Sequence, residues 1–179
     1  NKDTIVVIDD SIVRGTTLEK SILTLLSSLD AKKVIFVSSS PQIRYPDCYG
    51  IDMSKMHQFV AFRGLMRLLK INKADKKIKE IYSKCKKSIS SKKANNHVKE
   101  LYDMFSYDEL SKSISEIVKP NNFNSDLEII YQKIDDLNKA CPKNLGDWYF
   151  TGNYPTHGGN KVANRAFMNY CEGVKGRAY

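Results

Sequence analysis

The stretch TIVVIDDSIVRGTTLEKSILTLL, residues 4–26, decides the fold. It opens with the apolar run 5–8, continues into the adjacent acids Asp9 and Asp10, and reaches Arg-Gly-Thr-Thr before an apolar pattern with helical spacing. A continuous β-branched run is typical of a strand that is buried on both faces of a parallel sheet. The stretch therefore predicts a buried strand, a loop at its carboxyl end and a following helix.

The helix and a second strand complete a parallel unit. The helix is predicted to start at Thr17, and its apolar side is formed by Leu18, Ile22, Leu25, Leu26 and Leu29. The run 34–37 predicts a second buried strand, and a strand-helix-strand unit implies a parallel pair with a right-handed crossover. Ligands bind outside the carboxyl ends of such strands, so we expect the stretch from Asp9 to Thr17 to lie at a ligand site.

The rest of the chain is dominated by helical spacing. The segments with this spacing are 55–71, 75–88, 96–104, 107–118 and 125–140. Two prolines and a glycine in PQIRYPDCYGID, residues 41–52, predict an ordered loop. The Gly- and aromatic-rich stretch 146–170 predicts a packed C-terminal tail rather than a dangling one.

Composition indicates a globular protein with a core. The chain has 179 residues, of which 41% are hydrophobic and 27% are charged. It has no apolar run long enough for a membrane span and no opening that resembles a secretory signal, so we expect a cytoplasmic protein. Its 4 cysteines are widely spaced and form no C-x-x-C pair, which argues against a zinc knuckle or a disulfide framework.

The net charge of +9 is concentrated in one stretch. Between residues 70 and 100 there are 11 lysines and no arginine, opposed by Asp75, Glu80 and Glu100. Nucleic-acid sites usually combine lysine with arginine and aromatic side chains, so this pattern favours a solvated helical face. The alternative is a non-catalytic nucleotide- or nucleic-acid-binding module that uses the lysine-rich helices as its working surface.

The loop after the first strand has the chemistry of a phosphate site. Its Ser, Gly and Thr residues lead into a helix N-terminus and offer hydroxyls and backbone N–H groups to an anion. The carboxylates of Asp9 and Asp10 would repel a bare phosphate, so they require sugar hydroxyls or Mg²⁺ as partners. A phosphorylated sugar bound with Mg²⁺ supplies all of these groups.

Other phosphate-site classes fit the loop less well. The chain has neither G-x-x-x-x-G-K-[ST] nor G-x-G-x-x-G, which disfavours a P-loop and a dinucleotide fingerprint. A phospho-receiver domain would use Asp52 as its phosphoacceptor, but Asp52 lies in a Pro/Gly-containing loop instead of ending a hydrophobic strand. A further alternative is that Asp9 and Asp10 only cap a turn.

Three ordered motifs carry a family resemblance. VVIDDSIVRGTT, residues 6–17, resembles the phosphoribosyl pyrophosphate (PRPP) signature of type I phosphoribosyltransferases, and its long form is similar to that of amidophosphoribosyltransferases. PQIRYPDCYGIDMS, residues 41–54, and FTGNYPT, residues 150–156, resemble later motifs of the same family. The middle of the chain, about 66–100, resembles a helical insertion of one branch.

The resemblance implies an α/β fold, in which part of a type I phosphoribosyltransferase parallel-sheet core is followed by a mainly α-helical C-terminal region. On this basis we expect half of the transferase core at 1–60, a helical insertion or appendage at 61–145 and a structured tail at 146–179. The chain starts at Asn1 and enters a strand almost at once. We therefore expect it to be a C-terminal portion, with the glutaminase nucleophile and a mobile active-site loop upstream.

The resemblance also assigns roles to the loop. Asp9 and Asp10 would accept hydrogen bonds from the ribose hydroxyls and help to hold Mg²⁺. The 5′-phosphate would be wrapped by Ser11, Ile12, Val13, Arg14, Gly15, Thr16 and Thr17. The implied reaction makes 5-phosphoribosylamine from PRPP and glutamine-derived ammonia, the first step of de novo purine biosynthesis. The implied partners are purine nucleotides as feedback inhibitors and further copies of the chain, but neither a membrane nor a nucleic acid.

One departure from some family members concerns an iron–sulfur cluster. At the positions of their cluster cysteines this chain has Asp47 and the segment KNLGDWY, 143–149, while Cys48 and Cys141 are out of register. The sequence therefore predicts a cluster-free type. The three histidines, His57, His97 and His157, have no partners at ligand or triad spacing and are interpreted as surface or packing residues. The aromatic run 148–150 is interpreted as core rather than as a base-stacking platform.

Overall fold

A computed structural model describes residues 2–48, 53–143 and 146–178. Within these ranges the sheet has three parallel strands in the order β1-β2-β3. The strands are β1 (Thr4–Asp9), β2 (Lys33–Ser38) and β3 (Asp126–Tyr131). Their register pairs Asp9 with Ser38 and Ser38 with Tyr131, so Asp9 lies at the carboxyl edge of the sheet.

Helices make up most of the remaining described chain. In chain order they are a π-helical turn (Leu18–Ile22) that runs directly into α1 (Leu23–Ser27), a 3-10 turn (Met56–Gln58), α2 (Val60–Ile71), α3 (Asp75–Ile89), α4 (Lys99–Tyr102), α5 (Tyr107–Val118), α6 (Ile134–Ala140), α7 (Trp148–Thr151) and α8 (His157–Cys171). A three-stranded parallel sheet with a mainly helical remainder confirms the predicted α/β fold class, although its third strand follows α5 in the chain. None of the helices described here is both long and apolar enough to cross a membrane.

The core lies on one face of the sheet. Val34 and Phe36 of β2 are fully buried, and Ile129 of β3 is nearly so. Helix α5 packs on β3 and α2 packs on α5, so these two helices form the layer above this face. Apolar side chains of α2 recur at three- and four-residue spacing, for instance Phe62, Leu65 and Leu69, and therefore line one side of the helix.

The first strand is buried on one face only. Ile5 and Val7 pack against the core, whereas Val6 and Ile8 are 57% and 71% exposed. The prediction of a strand buried on both faces is therefore wrong for the described chain. The physical reason is that the described core cluster packs on the face that carries Ile5 and Val7 and leaves the face that carries Val6 and Ile8 exposed.

The segment 125–140 is a strand followed by a helix, which corrects the prediction of one long helix. Leu127, Ile129 and Tyr131 alternate along β3 and point to the core side of the sheet. The sequence contains both this period of two and an apparent helical spacing through Ile130. Pairing with β2 decides between them, because each residue of β3 lies in register with a β2 residue. Helix α6 begins only at Ile134.

The helix after the loop buries only part of its predicted apolar side. Leu18, Leu23 and Leu26 are buried, whereas Leu25 and Leu29 are 71% and 59% exposed. A π-helical turn contains more residues per turn than an α-helix. The turn Leu18–Ile22 therefore rotates every later residue relative to the spacing that an uninterrupted α-helix would have.

Other predicted elements match the structure to different degrees. The helix at 107–118 is confirmed as α5, which starts with a capping box formed by Ser106 and Glu109. The segment 75–88 corresponds to α3, while 96–104 contains only the short α4. The segment 55–71 is divided because Phe59 is extended between the 3-10 turn and α2.

The loop and the tail are both packed as predicted. Residues 41–48 form no helix or strand and are largely buried, while 49–52 lie outside the described residues. The tail contributes α7 and α8, and α8 packs along α3. The proposed division at 60 and 145 stays a prediction.

Candidate functional site

The loop after β1 is held by buried apolar side chains at both ends. Ile12 is 4% exposed and Leu18 is 3% exposed, and both belong to the core. Between them Arg14, Thr16 and Thr17 are exposed. The loop is thus fixed to the protein by apolar anchors while its polar side chains remain accessible.

These loop residues line a cleft of about 490 Å³. The lining residues are Asp9, Ser11, Ile12, Val13, Arg14, Gly15, Thr16, Thr17, Leu18 and Met53. The cleft brings together every residue that the sequence assigns to the site except Asp10. Met53 was not predicted, because it follows the loop 41–52 in the sequence and no pattern near it indicates a residue of this cleft.

The two acids form a short turn at the strand end. Asp9 is half-buried, and its Oδ1 accepts a hydrogen bond of 2.9 Å from the backbone N–H of Asp10. Asp10 is exposed, and its Oδ1 accepts a bond of 3.1 Å from the hydroxyl of Ser11. Two carboxylates at an accessible strand end are suited to sugar hydroxyls or to Mg²⁺, which usually takes one or two carboxylates and completes its shell with water and phosphate oxygens.

Gly15 occupies the one position of the loop where a side chain does not fit. Its φ is +72°, a left-handed conformation that favours glycine. A Cβ added there would lie 3.1 Å from methyl groups of both Val60 and Val118. Its carbonyl accepts a 2.9 Å bond from the N–H of Glu19 and so joins the loop to the helix.

Helix α2 contacts the loop through Val60 and Arg63, which do not line the cleft. The backbone N–H of Val60 donates to the carbonyl of Val13 at 2.8 Å. Arg63, one turn further, has its Nη1 at 3.4 Å from the carbonyl oxygen of Arg14. No sequence pattern indicates these contacts, because they join positions up to 49 residues apart and depend on how α2 packs.

The loop 41–48 and the C-terminal tail are joined by direct hydrogen bonds. The Tyr149 hydroxyl donates to Oδ1 of the buried Asp47 at 3.0 Å. The N–H groups of Arg44 and Tyr45 donate to the carbonyl of Tyr149 at 2.9 and 3.1 Å. Desolvation and the bond to Asp47 raise the pKa of Tyr149 to about 12. Two motifs that are distant in sequence therefore form one packed unit.

The described residues contain no cluster typical of a metal site, and two of the histidines have structural contacts. Within 2–48, 53–143 and 146–178, no three His, Cys, Asp or Glu side chains are grouped as a metal site would need. The expectation that the chain carries no iron–sulfur cluster stays a prediction. His97 and His157 have structural contacts, to Glu100 at 3.4 Å and to the carbonyl of Ala94 at 3.1 Å.

Comparison with known proteins finds several amidophosphoribosyltransferases among the relatives of this chain. The chain is 43% identical over 75 residues to the amidophosphoribosyltransferase of Pasteurella multocida, a match that covers 41% of this chain. It is 48% identical over 58 residues to the enzyme of that name from Haemophilus influenzae, which covers 32% of this chain. The longest of these matches, to the Saccharomyces cerevisiae enzyme, is 28% identical over 144 residues and covers 80% of this chain.

The matches cover a minor part of each relative. The aligned segments make up 15%, 11% and 25% of the P. multocida, H. influenzae and S. cerevisiae proteins. No protein-family model matches the chain. The resemblance that the loop motif indicated is nevertheless confirmed: this chain is similar in sequence to amidophosphoribosyltransferases from bacteria and yeast.

Proposed function

We propose that this chain is the C-terminal part of an amidophosphoribosyltransferase, a cytoplasmic glycosyltransferase of de novo purine biosynthesis. The reaction joins glutamine-derived ammonia to the ribose of PRPP and releases pyrophosphate. The observation that carries the proposal is the cleft that brings together Asp9 and the loop 11–17. The sequence similarity to amidophosphoribosyltransferases supports the same conclusion.

The loop and the acids would bind different parts of PRPP. The hydroxyls of Ser11, Thr16 and Thr17 and the loop N–H groups donate hydrogen bonds to the 5′-phosphate. The carboxylates of Asp9 and Asp10 accept hydrogen bonds from the ribose hydroxyls. The same carboxylates would help to hold Mg²⁺, which would supply neutralisation of negative charge on the pyrophosphate group.

The acids would also favour the transition state. As the bond from C1 to pyrophosphate breaks, positive charge develops on the ribose ring. The fixed negative charge of Asp9 and Asp10 stabilises this oxocarbenium character. Ammonia released from glutamine then attacks C1 and loses a proton to give 5-phosphoribosylamine. Purine nucleotides as inhibitors and self-association belong to the same proposal.

Substitution of the acids in the full-length protein tests the proposal. Asp9→Asn and Asp10→Asn each keep the side-chain size but remove the charge that a ribose hydroxyl would contact. We expect each to cost about 1.5–3 kcal/mol of PRPP binding, or about one to two decades in affinity or rate with Mg²⁺ present. Asp3→Asn, at an exposed acid at the other end of β1, is the control. Unchanged kinetics in both loop variants would contradict the sugar-binding role.

A further inference from the structure

We infer that the N-terminal turn of α2 and the C-terminal end of α5 position the phosphate loop, and that Arg63, Val60 and Val118 are positioning residues for PRPP. The inference rests on the proposed function and adds residues that the loop motif does not contain. None of the three lines the cleft. They act on the substrate through the loop backbone.

The apolar part of this support fixes Gly15. Val60 and Val118 are completely buried, and methyl groups of both would lie 3.1 Å from a Cβ at Gly15. The N–H of Val60 also holds the carbonyl of Val13 at 2.8 Å. The Val13 carbonyl and the Gly15 Cα in the middle of the loop therefore have fixed neighbours. Because protein interiors are closely packed, a small displacement of Val60 or Val118 would displace the loop backbone.

The two helices that carry Val60 and Val118 also pack directly on each other. Helices α2 and α5 approach closely at Gly64, where an added Cβ would lie 3.0 Å from the side chain of Ile114. The Ser113 hydroxyl donates to the carbonyl of Gly64 at 2.9 Å. The two helices that carry Val60 and Val118 thus hold each other in place, which keeps the loop in one conformation before substrate arrives.

Arg63 adds a polar contact on the same side. Its side chain is exposed, and its guanidinium lies 3.4 Å from the carbonyl oxygen of Arg14. A donor at this oxygen restrains the peptide between Arg14 and Gly15, whose N–H group belongs to the loop that would receive the phosphate. Pre-organisation of such donors strengthens binding because less order is lost when the ligand arrives.

A surface pair of variants tests this role without threatening the fold. Arg63→Ala is compared with Arg67→Ala, one turn further along α2, where Arg67 forms an ion pair with Glu116 at 2.6 Å. In the full-length enzyme we expect Arg63→Ala to raise KM for PRPP by about threefold to tenfold. Arg67→Ala should leave KM unchanged, because an exposed ion pair contributes little beside the buried contact of α2 with α5 at Gly64. Arg63→Lys, which keeps a donor, should recover part of the loss.

A core pair separates positioning from general destabilisation. Val118→Ala and Val98→Ala remove the same two methyl groups from fully buried sites, but only Val118 lies behind the loop. Both should lower the melting temperature, whereas only Val118→Ala should raise KM for PRPP. If Val118→Ala does not fold, the Arg63 and Arg67 pair decides alone.

The outcomes separate a failure of the positioning role from a failure of the proposed function. Equal KM values for PRPP in Arg63→Ala and Arg67→Ala would overturn the positioning role. A KM increase of the same size in Val98→Ala as in Val118→Ala would overturn it as well. In either case, turnover of PRPP by the wild type would still uphold the proposed function. A full-length wild-type protein with no PRPP turnover would overturn the proposed function and this inference together.

Discussion

At the scale of single residues, Gly15 is the position of the loop 9–17 where backbone conformation and packing together exclude a side chain. Gly15→Ala places a Cβ in the left-handed region and 3.1 Å from Val60 and Val118, so the neighbours must move. We expect a loss of about 1–2 kcal/mol from the backbone conformation alone, measured by chemical denaturation. Gly158→Ala in α8 is the control, because its nearest atom would lie at an ordinary 3.7 Å. A Gly15→Ala protein as stable as the wild type would contradict the described loop conformation.

The sequence predicted the residues of the site that are neighbours in the chain. Acids at a strand end, followed by Ser, Gly and Thr, indicate a phosphate and sugar site within one short segment. The cleft contains all of these residues except Asp10. Val60, Arg63 and Met53 were missed for a physical reason. Their position at the loop results from helix packing and chain reversal, and no spacing within the loop motif contains that information.

At the scale of elements, an ion-pair network joins α3 to α4 in the lysine-rich stretch. Lys84 contacts Glu80 and Glu100, both at 2.7 Å, and Lys77 contacts the same two acids at 3.0 and 3.2 Å. Part of the positive charge of this stretch is therefore used within the structure. This favours the solvated, structural interpretation of the lysines over a nucleic-acid surface.

The network predicts a specific dependence of stability on pH. The ammonium groups of Lys84 and Lys77 lower the pKa of Glu100 from 4.5 to about 2. Because the pKa is lower in the folded state, the ionised carboxylate stabilises the fold above about pH 4.5, and this contribution is lost as the pH falls towards 2. Glu100→Gln should therefore show a flatter fall of melting temperature across this interval than the wild type. Glu116→Gln, which removes a separate surface pair with Arg67, should retain the wild-type slope; parallel curves for wild type and Glu100→Gln would refute the assignment.

Elements were predictable where one periodicity dominated. Helix α5 was predicted with both ends from its helical spacing, and the structure shows that Ser106 caps its start. The segment 125–140 allowed two periodicities, and only the presence of β2 as a pairing partner selects the strand at 126–131. The buried side of the helix after the loop was missed because a π-helical turn leaves no clear mark in composition.

At the scale of the whole molecule, one face of the parallel sheet is open. Val6, Ile8 and Ile130 are 57%, 71% and 44% exposed, although parallel sheets are usually covered on both faces. The chain produced alone should therefore bind a fluorescent hydrophobic dye, and replacing Val6 and Ile8 by Thr should reduce the signal. Val174→Thr, at an exposed apolar residue outside the sheet, should have little effect. Dye binding that is unchanged in the Val6 and Ile8 variant would show that this face is not accessible.

The central claim is that the loop 9–17 binds PRPP, and hydrogen exchange of the full-length protein tests it most directly. Backbone amides of this loop donate to the 5′-phosphate in the proposed complex, so addition of PRPP with Mg²⁺ should slow their exchange. Asp9→Asn with Asp10→Asn should abolish the effect at the same PRPP concentration. PRPP binding at the loop predicts protection centred on residues 10–17 and on the start of α2. Unchanged exchange in the loop, or protection confined to the lysine-rich helix α3, would contradict it.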